Sequence, residues 1–443
     1  MRLENSYSAL LKMALPLMLG TFIQSIVLIT DAAFLSRYST LSFDASGNAG
    51  LIYVTLFMGL AGLSDGAQII MARRIGSSQT RELNAIIQSS FLSNLALAGL
   101  FFITLTFVVP DMIIGYSKNQ EVAREQIDFL SVRSFGFFMA AIMLGLNAFF
   151  TALGKTWVIM LSTILFAASN IILDKLLIFG YGIIPSMGIQ GAALASVLSE
   201  GVAVLVLITV FLLSKERKQF GLFTRIEIRK ESLKKLFRIG FPLVIQGFFA
   251  LATWTVFFTW IEQKSTYDLT VSQNIRAVYF LAFVPIFGFG ATTKTYVAQY
   301  MDDKNPRLIG RTVRKIQLLA ILFLLLFFHG AILYPETLIS IINPNEHYLT
   351  DSAQILQIVF GAVIIFGFCT PFFQTINGSG NTKATLIIEI ASIIIYLTFA
   401  YLFIKEWMFD IRLIWTVEYI YFGTIGLFSI LYLNLFDWRK KQY

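Results

Sequence analysis

Cysteine is almost missing from this chain of 443 residues: Cys369 stands alone inside an apolar run. No disulfide can close within the chain, and no cysteine-based metal site can be built from one thiol. Histidine is nearly as scarce. His329 lies inside an apolar run and His347 outside one, a spacing that suggests neither a metal centre nor a catalytic triad. Charge is thin as well, with 14% of residues Asp, Glu, Lys or Arg, where a soluble domain carries roughly 25%. The apolar runs lack the alternating polarity, over about ten residues, that marks the strands of a membrane barrel. No small-residue cleavage pattern follows the charged start at Met1–Leu10, so no signal peptide is expected.

What remains is apolar. Hydrophobic residues make up 57% of the chain and the mean hydropathy is +0.74. Runs of roughly twenty apolar residues, enough to cross a bilayer core, recur along the whole length. They fall at 11–35, 48–71, 84–109, 129–153, 157–179, 189–213, 239–261, 275–297, 316–342, 353–376, 384–404 and 413–436. The expected fold is therefore all-α integral membrane, with twelve transmembrane helices and both termini on one side. That side collects Arg2, Arg73, Arg74, Arg81, nine basic residues between Lys215 and Arg238, Arg307, Arg311, Arg314, Lys315 and Arg439 to Lys441. The other side holds fewer, among them Arg37, Lys118, Arg124, Lys264 and Lys405. This is the positive-inside pattern. It predicts a multi-pass protein of the plasma (inner) membrane with cytoplasmic termini, and it accounts for the net charge of +8 without a nucleic-acid partner.

The longest basic connection divides the runs six and six. It predicts an N-terminal six-helix lobe at 1–214, a cytoplasmic linker at 215–238 and a C-terminal six-helix lobe at 239–443. The halves also match at a constant shift of 226 residues. Pro16 falls on Pro242, Gly62 on Gly288, Ala72 on Ala298, Gly154 on Gly380 and Thr156 on Thr382. Repeats with an even number of spans share one orientation. In transporters built this way the substrate site lies at the repeat interface and one half rocks against the other.

Charges within membrane spans are costly and point to function. Asp31 lies in the first span, fifteen residues after Pro16, where a proline lets the helix bend. Asn170 and Asp174 in the fifth span are four apart and share one helix face. Ser196 and Glu200 repeat that spacing in the sixth. At the 226 shift Asp31 falls on Phe257, Asn170 on Tyr396 and Asp174 on Ala400, so this polar set occurs once. Two carboxyls in a low-dielectric pocket resist ionising together and titrate as a coupled pair. Such a pair can carry a proton, or with the Asn170 and Ser196 oxygens it can hold a hard cation such as Na⁺. Asp65, Gln68, Lys294, Glu389 and Glu418 are further polar residues inside spans. Asp65 and Glu389 are candidates for a central cavity, and Lys294 lies near enough to a span end to snorkel. Gln24, Phe34, Tyr53 and Tyr279 are candidate cavity residues for flat or cationic ligands through stacking and cation–π contact.

The stretch ALPLMLGTFIQSIVLITDAAFLSR at 14–37 resembles the first helix of the MATE (multidrug and toxic compound extrusion) transporters. NIILDKLLIFGYG with MGIQGAALASV resembles the family's fifth-to-sixth-helix signature, and TALGKT and NGSGNTK resemble its two copies of a glycine turn. The resemblance covers nearly the whole chain. It implies two six-helix lobes and exchange of substrate for H⁺ or Na⁺. In the DinF-like branch it implies a first-lobe ion site, which maps onto Asp31, Asn170, Asp174 and Ser196. NorM-like members also use acids on helices 7 and 10. Here no acid lies between Pro242 and Glu262, or from Ala353 to Ile376, so the DinF-like branch is expected. Lys175 and Asn381 stand where the family commonly has Pro and Asp.

The expected activity is secondary efflux of small cationic or amphipathic molecules by a monomer, without enzymatic chemistry and with no cofactor beyond H⁺ or Na⁺. A lipid-linked oligosaccharide flippase is the alternative. It calls for Arg or Lys in the cavity to hold pyrophosphate, and Arg133 and Lys294 are the candidates. A membrane enzyme would need a nucleophile–base or metal constellation, and none is visible.

Overall fold

The structure, a computed structural model, describes residues 2–117, 119–303, 305 and 307–439, without the side chain of Tyr116. Lys118, Lys440 and Lys441, counted above among the flanking charges, lie outside the described residues. Within them the chain is helical, and one isolated bridge between Tyr181 and Ile184 closes a turn. A chain in hydrocarbon must satisfy its backbone polar groups internally, and a helix does so within one segment.

The long helices are α1 (Tyr7–Tyr38), α2 (Thr40–Gly76), α3 (Leu83–Ile103), α4 (the bent pair Gln120–Arg133 and Gly136–Ala152), α5 (Trp157–Phe179) and α6 (Gly188–Leu213) in the first half. The second half has α7 (Lys230–Lys264), α8 (Thr266–Tyr300), α9 (Arg307–Phe328), α10 (Glu346–Gly378), α11 (Thr382–Tyr401) and α12 (Val417–Leu435). Their starts carry side-chain oxygens that accept from orphaned backbone N–H groups. Ser39 caps α2, Ser265 caps α8 and Asn345 caps α10. Among the described residues ten helices are long and apolar enough to span, or eleven with the bent pair of α4 taken as one. The expected ninth span is α9 and two short helices, Gly330–Leu333 and Pro335–Ile342. Arg307, Arg311, Arg314 and Lys315 make the first turns of α9 polar, which is why it stands outside that count. Outward positions such as Leu28, Ile29, Leu51, Phe107, Ile172 and Leu205 are exposed, as suits a surface whose solvent is lipid.

The chain forms two compact units, and neither follows a single cut in the sequence. One unit is 19–244; the other is 2–18 with 245–443. Each unit thus contains the start of a helix whose remainder belongs to the other. In the first unit the start of α7 packs on α2: a Cβ on Gly62 would lie 2.5 Å from the Val244 backbone nitrogen. In the second unit the start of α1 packs on α8, where a Cβ on Gly288 would lie 3.2 Å from the Ala14 carbonyl oxygen and would press on the Met18 side chain. Both contacts are related by the 226 shift, so the repeat seen in the letters is a repeat of close helix approach.

The basic connection is strapped to the first unit. Asn84 accepts from the Phe223 backbone N–H at 2.9 Å, and Gln88 accepts from that of Glu227 at 2.7 Å. Asn84 Nδ2 donates to the Glu227 carboxylate at 3.0 Å, and this bond is the main reason that carboxyl is held below its ordinary range.

The two glycines respond differently to a methyl group. At Gly62 the new atom meets backbone, which cannot yield; at Gly288 it meets mainly the flexible Met18 side chain. Gly62→Ala is expected to cost about 1–3 kcal/mol by overpacking and Gly288→Ala clearly less, measured as thermal unfolding of the detergent-solubilised protein.

Candidate functional site

The polar residues of the first unit converge from five helices. Asn170 and Asp174 on α5 are both fully buried, as their four-residue spacing on the inner face requires. Asp31 on α1 is half-buried, and its carboxyl lies close enough to that of Asp174 for the two to interact directly. A hydrogen bond between two carboxyls needs a proton on one of them. With both ionised neither can donate, and Asp31 Oδ1 and both Asp174 oxygens are left buried without a donor. Both amide atoms of Asn170 are likewise buried and unpartnered. Buried polar atoms of native proteins are rarely left this way. Four such oxygens, from Asp31, Asn170 and Asp174, fit either a shared proton or a small hard cation. Ser196 on α6 is half-buried and, among the described residues, makes no hydrogen bond to either carboxyl.

Next to this pair lies an ion pair that sequence reasoning did not assemble. Arg133, the last residue before the 47° bend of α4, donates to both Glu200 oxygens on α6 at 2.5 and 3.0 Å. Their side chains are 13% and 7% exposed. The guanidinium also lies 4.0 Å from the centre of the Tyr53 ring, which stacks on Phe137 at 4.5 Å. Arg133, near a span end in the sequence, is thus largely covered and neutralised by a partner 67 residues away. Glu200 was visible only as the neighbour of Ser196. The break in α4 is the one local signal that could have raised interest in Arg133.

Tyr53, a candidate cavity residue, is buried with its hydroxyl unpartnered. Phe34 packs edge-on against Phe179 at 6.0 Å. Gln24 is exposed and Asp65 half-buried. Pro16 lies inside α1, in the segment that belongs to the second unit. Tyr279 and Glu389 belong to the second unit too, where Tyr279 donates to Glu418 at 3.1 Å and Glu389 accepts from Tyr421 at 2.6 Å. Among the described residues no group of three or more His, Cys, Asp or Glu could hold a metal ion.

The family model described as MatE matches residues 16–176 and 242–402; the two segments start, and end, 226 residues apart. The chain is 28% identical over 397 residues to a "Probable multidrug resistance protein NorM" of Thermotoga maritima, covering 87% of this chain and 82% of that one. It is 25% identical over 412 residues to a protein of the same name from Bacillus cereus, with 88% and 87% covered. Among solved structures it resembles a multidrug resistance MATE family transporter in an outward-facing conformation, with a TM-score of 0.90 and 19% identity over 98% of this chain and 97% of that one. It also resembles a MOP superfamily transporter of Pyrococcus furiosus, whose binding pocket is described as of reverse polarity, with a TM-score of 0.86 and 19% identity over the same shares. At that identity the likeness speaks for the fold.

Removing one member of a buried ion pair leaves the other uncompensated, at about 3–5 kcal/mol. Arg133→Met and Glu200→Leu are each expected to destabilise the protein by that order, and the double variant to recover most of the loss. Thermal unfolding of the three proteins checks this.

Proposed function

The chain belongs to the MatE family of membrane transporters, and we propose that it exports small amphipathic organic cations in exchange for protons taken up at Asp31 and Asp174. The observation that carries this reading is the facing pair of carboxyls. One proton is shared between them, and its loss leaves two like charges side by side against the buried Asp174, which is a strongly unequal pair of states. The same oxygens could take Na⁺, so the ion is tested rather than assumed. The acids of the first unit, and the lack of any on the central turns of α7 and α10, favour the DinF-like arrangement over the NorM-like one, although the curated relatives carry the NorM name.

In this mechanism substrate enters from the cytoplasm and the two halves rock about it, in a monomer of the inner membrane with both termini cytoplasmic. An ion moves such an equilibrium only through unequal affinity for its two states. A swing from 1:99 to 99:1 needs about 5.5 kcal/mol, and a proton bound between dry carboxyls in one state and exposed to water in the other supplies a difference of that order. Bending of α1 near Pro16 is the mechanical response. The carboxylates of Asp31 and Asp174 offer a cation an opposite charge, whereas the Tyr53 ring is already taken by Arg133 and Phe137. Arg133, paired with Glu200, has little charge to spare for a pyrophosphate, which weighs against the flippase.

Asp31→Asn is expected to bring export of a cationic dye such as ethidium down to the level of empty liposomes while the protein stays in the membrane. Proteoliposomes run separately under a pH gradient and a Na⁺ gradient measure it. Wild-type rates from the variant under the pH gradient would sink the proposal, and export driven by the Na⁺ gradient alone would reassign the ion.

A further inference from the structure

The second unit holds an acid that the exchange proposed above does not use. Glu418 on α12 is 1% exposed. Tyr279 of α8 donates to its Oε2 at 3.1 Å and Tyr396 of α11 donates to its Oε1 at 3.2 Å. Beside it Glu389 of α11, 6% exposed, accepts from Tyr421 of α12 at 2.6 Å. The rings of Tyr396 and Tyr421 are 5.2 Å apart, so the two acid–phenol groups are neighbours. The remaining walls are apolar: Trp254 of α7 stacks on Tyr279 at 5.9 Å, Phe257 of α7 packs on Tyr396 at 5.8 Å, and Phe366 of α10 stacks on Phe422 at 4.1 Å. Among the described residues no Lys, Arg or His pairs with either glutamate. The titratable groups interacting with Glu418 are Tyr279, Tyr396 and Tyr421, and Tyr421 links it to Glu389.

An ionised carboxylate so deep in a membrane bundle, without a cation, is costly. The phenols change the balance. A tyrosine hydroxyl both donates and accepts, so it can donate to an ionised Glu418 and accept from a protonated one. Glu418 therefore keeps a hydrogen bond to each phenol with and without the proton. The Ser392 hydroxyl is a further buried polar group on α11. Its residue is fully buried, its oxygen has no partner, and it lies three residues after Glu389 and four before Tyr396 on the same face of α11. We propose that Glu418, with Glu389 beside it, is a second proton-binding site, set within the second unit and separate from the Asp31–Asp174 pair. A metal ion suits it poorly, because both Glu418 oxygens already face phenol hydrogens that the ion would have to displace. The inference rests on the export reading only for the proton's use: a cycle that loads each half would move more than one proton per substrate.

The test uses the full-length protein in lipid, with the proton itself as probe. Infrared difference spectra taken across pH report the carbonyl band of protonated carboxyls. Asp31→Asn/Asp174→Asn should remove one part of the titrating band and Glu418→Gln another. Tyr279→Phe or Tyr396→Phe, each deleting one donor to the ionised form, should raise the midpoint of the Glu418 part by roughly one pH unit, about tenfold in proton affinity. The phenylalanine variants keep the test open if Glu418→Gln does not fold. A titrating band unchanged by Glu418→Gln, a midpoint unmoved by both phenylalanine variants, or a band that follows Na⁺ at fixed pH would each overturn the proposal. If Asp31→Asn exports normally while the Glu418 band behaves as described, the export reading fails and this site stands.

Discussion

A charge inside hydrocarbon has to be answered within a few ångströms, and much of this molecule follows from how each buried charge is answered. Arg133 and Glu200 answer one another through two hydrogen bonds. Glu418 is answered by two phenols. Asp31 and Asp174 have no hydrogen-bond donor among the described residues, Arg133 acts on Asp31 only through space, and Asn170 beside them is unpartnered as well. Satisfied networks fix a structure, while an unsatisfied one has two states that differ by whatever arrives to satisfy it. In the first unit the unsatisfied carboxyls thus lie beside a closed ion pair.

The repeat makes the placement of these groups comparable position by position. Tyr53 and Tyr279 are related by the 226 shift, and so are Asn170 and Tyr396. In each unit the tyrosine from the second helix of the repeat sits against a buried charge, Arg133 in one and Glu418 in the other. The acids themselves do not correspond: Asp31 falls on Phe257 and Asp174 on Ala400. The two halves share a scaffold of close helix contacts at Gly62 and Gly288 and fill it with different chemistry.

Much of this was legible in the sequence. Apolar runs gave the helices because each run must satisfy its own backbone, and the i, i+4 spacing of Asn170 and Asp174 put them on one face. The pairing of Asp31 with Asp174 rested on the resemblance more than on composition, since Asp65 and Glu200 also lie in spans of that half. The ninth span was less clear, because its basic first turns mix an apolar signal with a polar one. The Arg133–Glu200 pair was hidden: each residue alone resembles a boundary charge, and no local pattern links positions this far apart. Glu418 was noticed and left unassigned, because its partners are tyrosines on two other helices, a residue type too common here to single out. The exchange of helix starts between the units was invisible, since a continuous apolar helix reads the same whichever body it packs on.

That exchange bears on how the protein is made. Residues 2–18 are synthesised before 19–244, yet they belong with 245–443, which are made after that segment. The first unit in turn lacks its full complement until Val244 has left the ribosome, because Gly62 waits for the start of α7. Domains usually complete themselves in order, N-terminal first. Here 2–18 must wait until the whole of 19–244 has been made, and neither half can be finished without a piece delivered by the other.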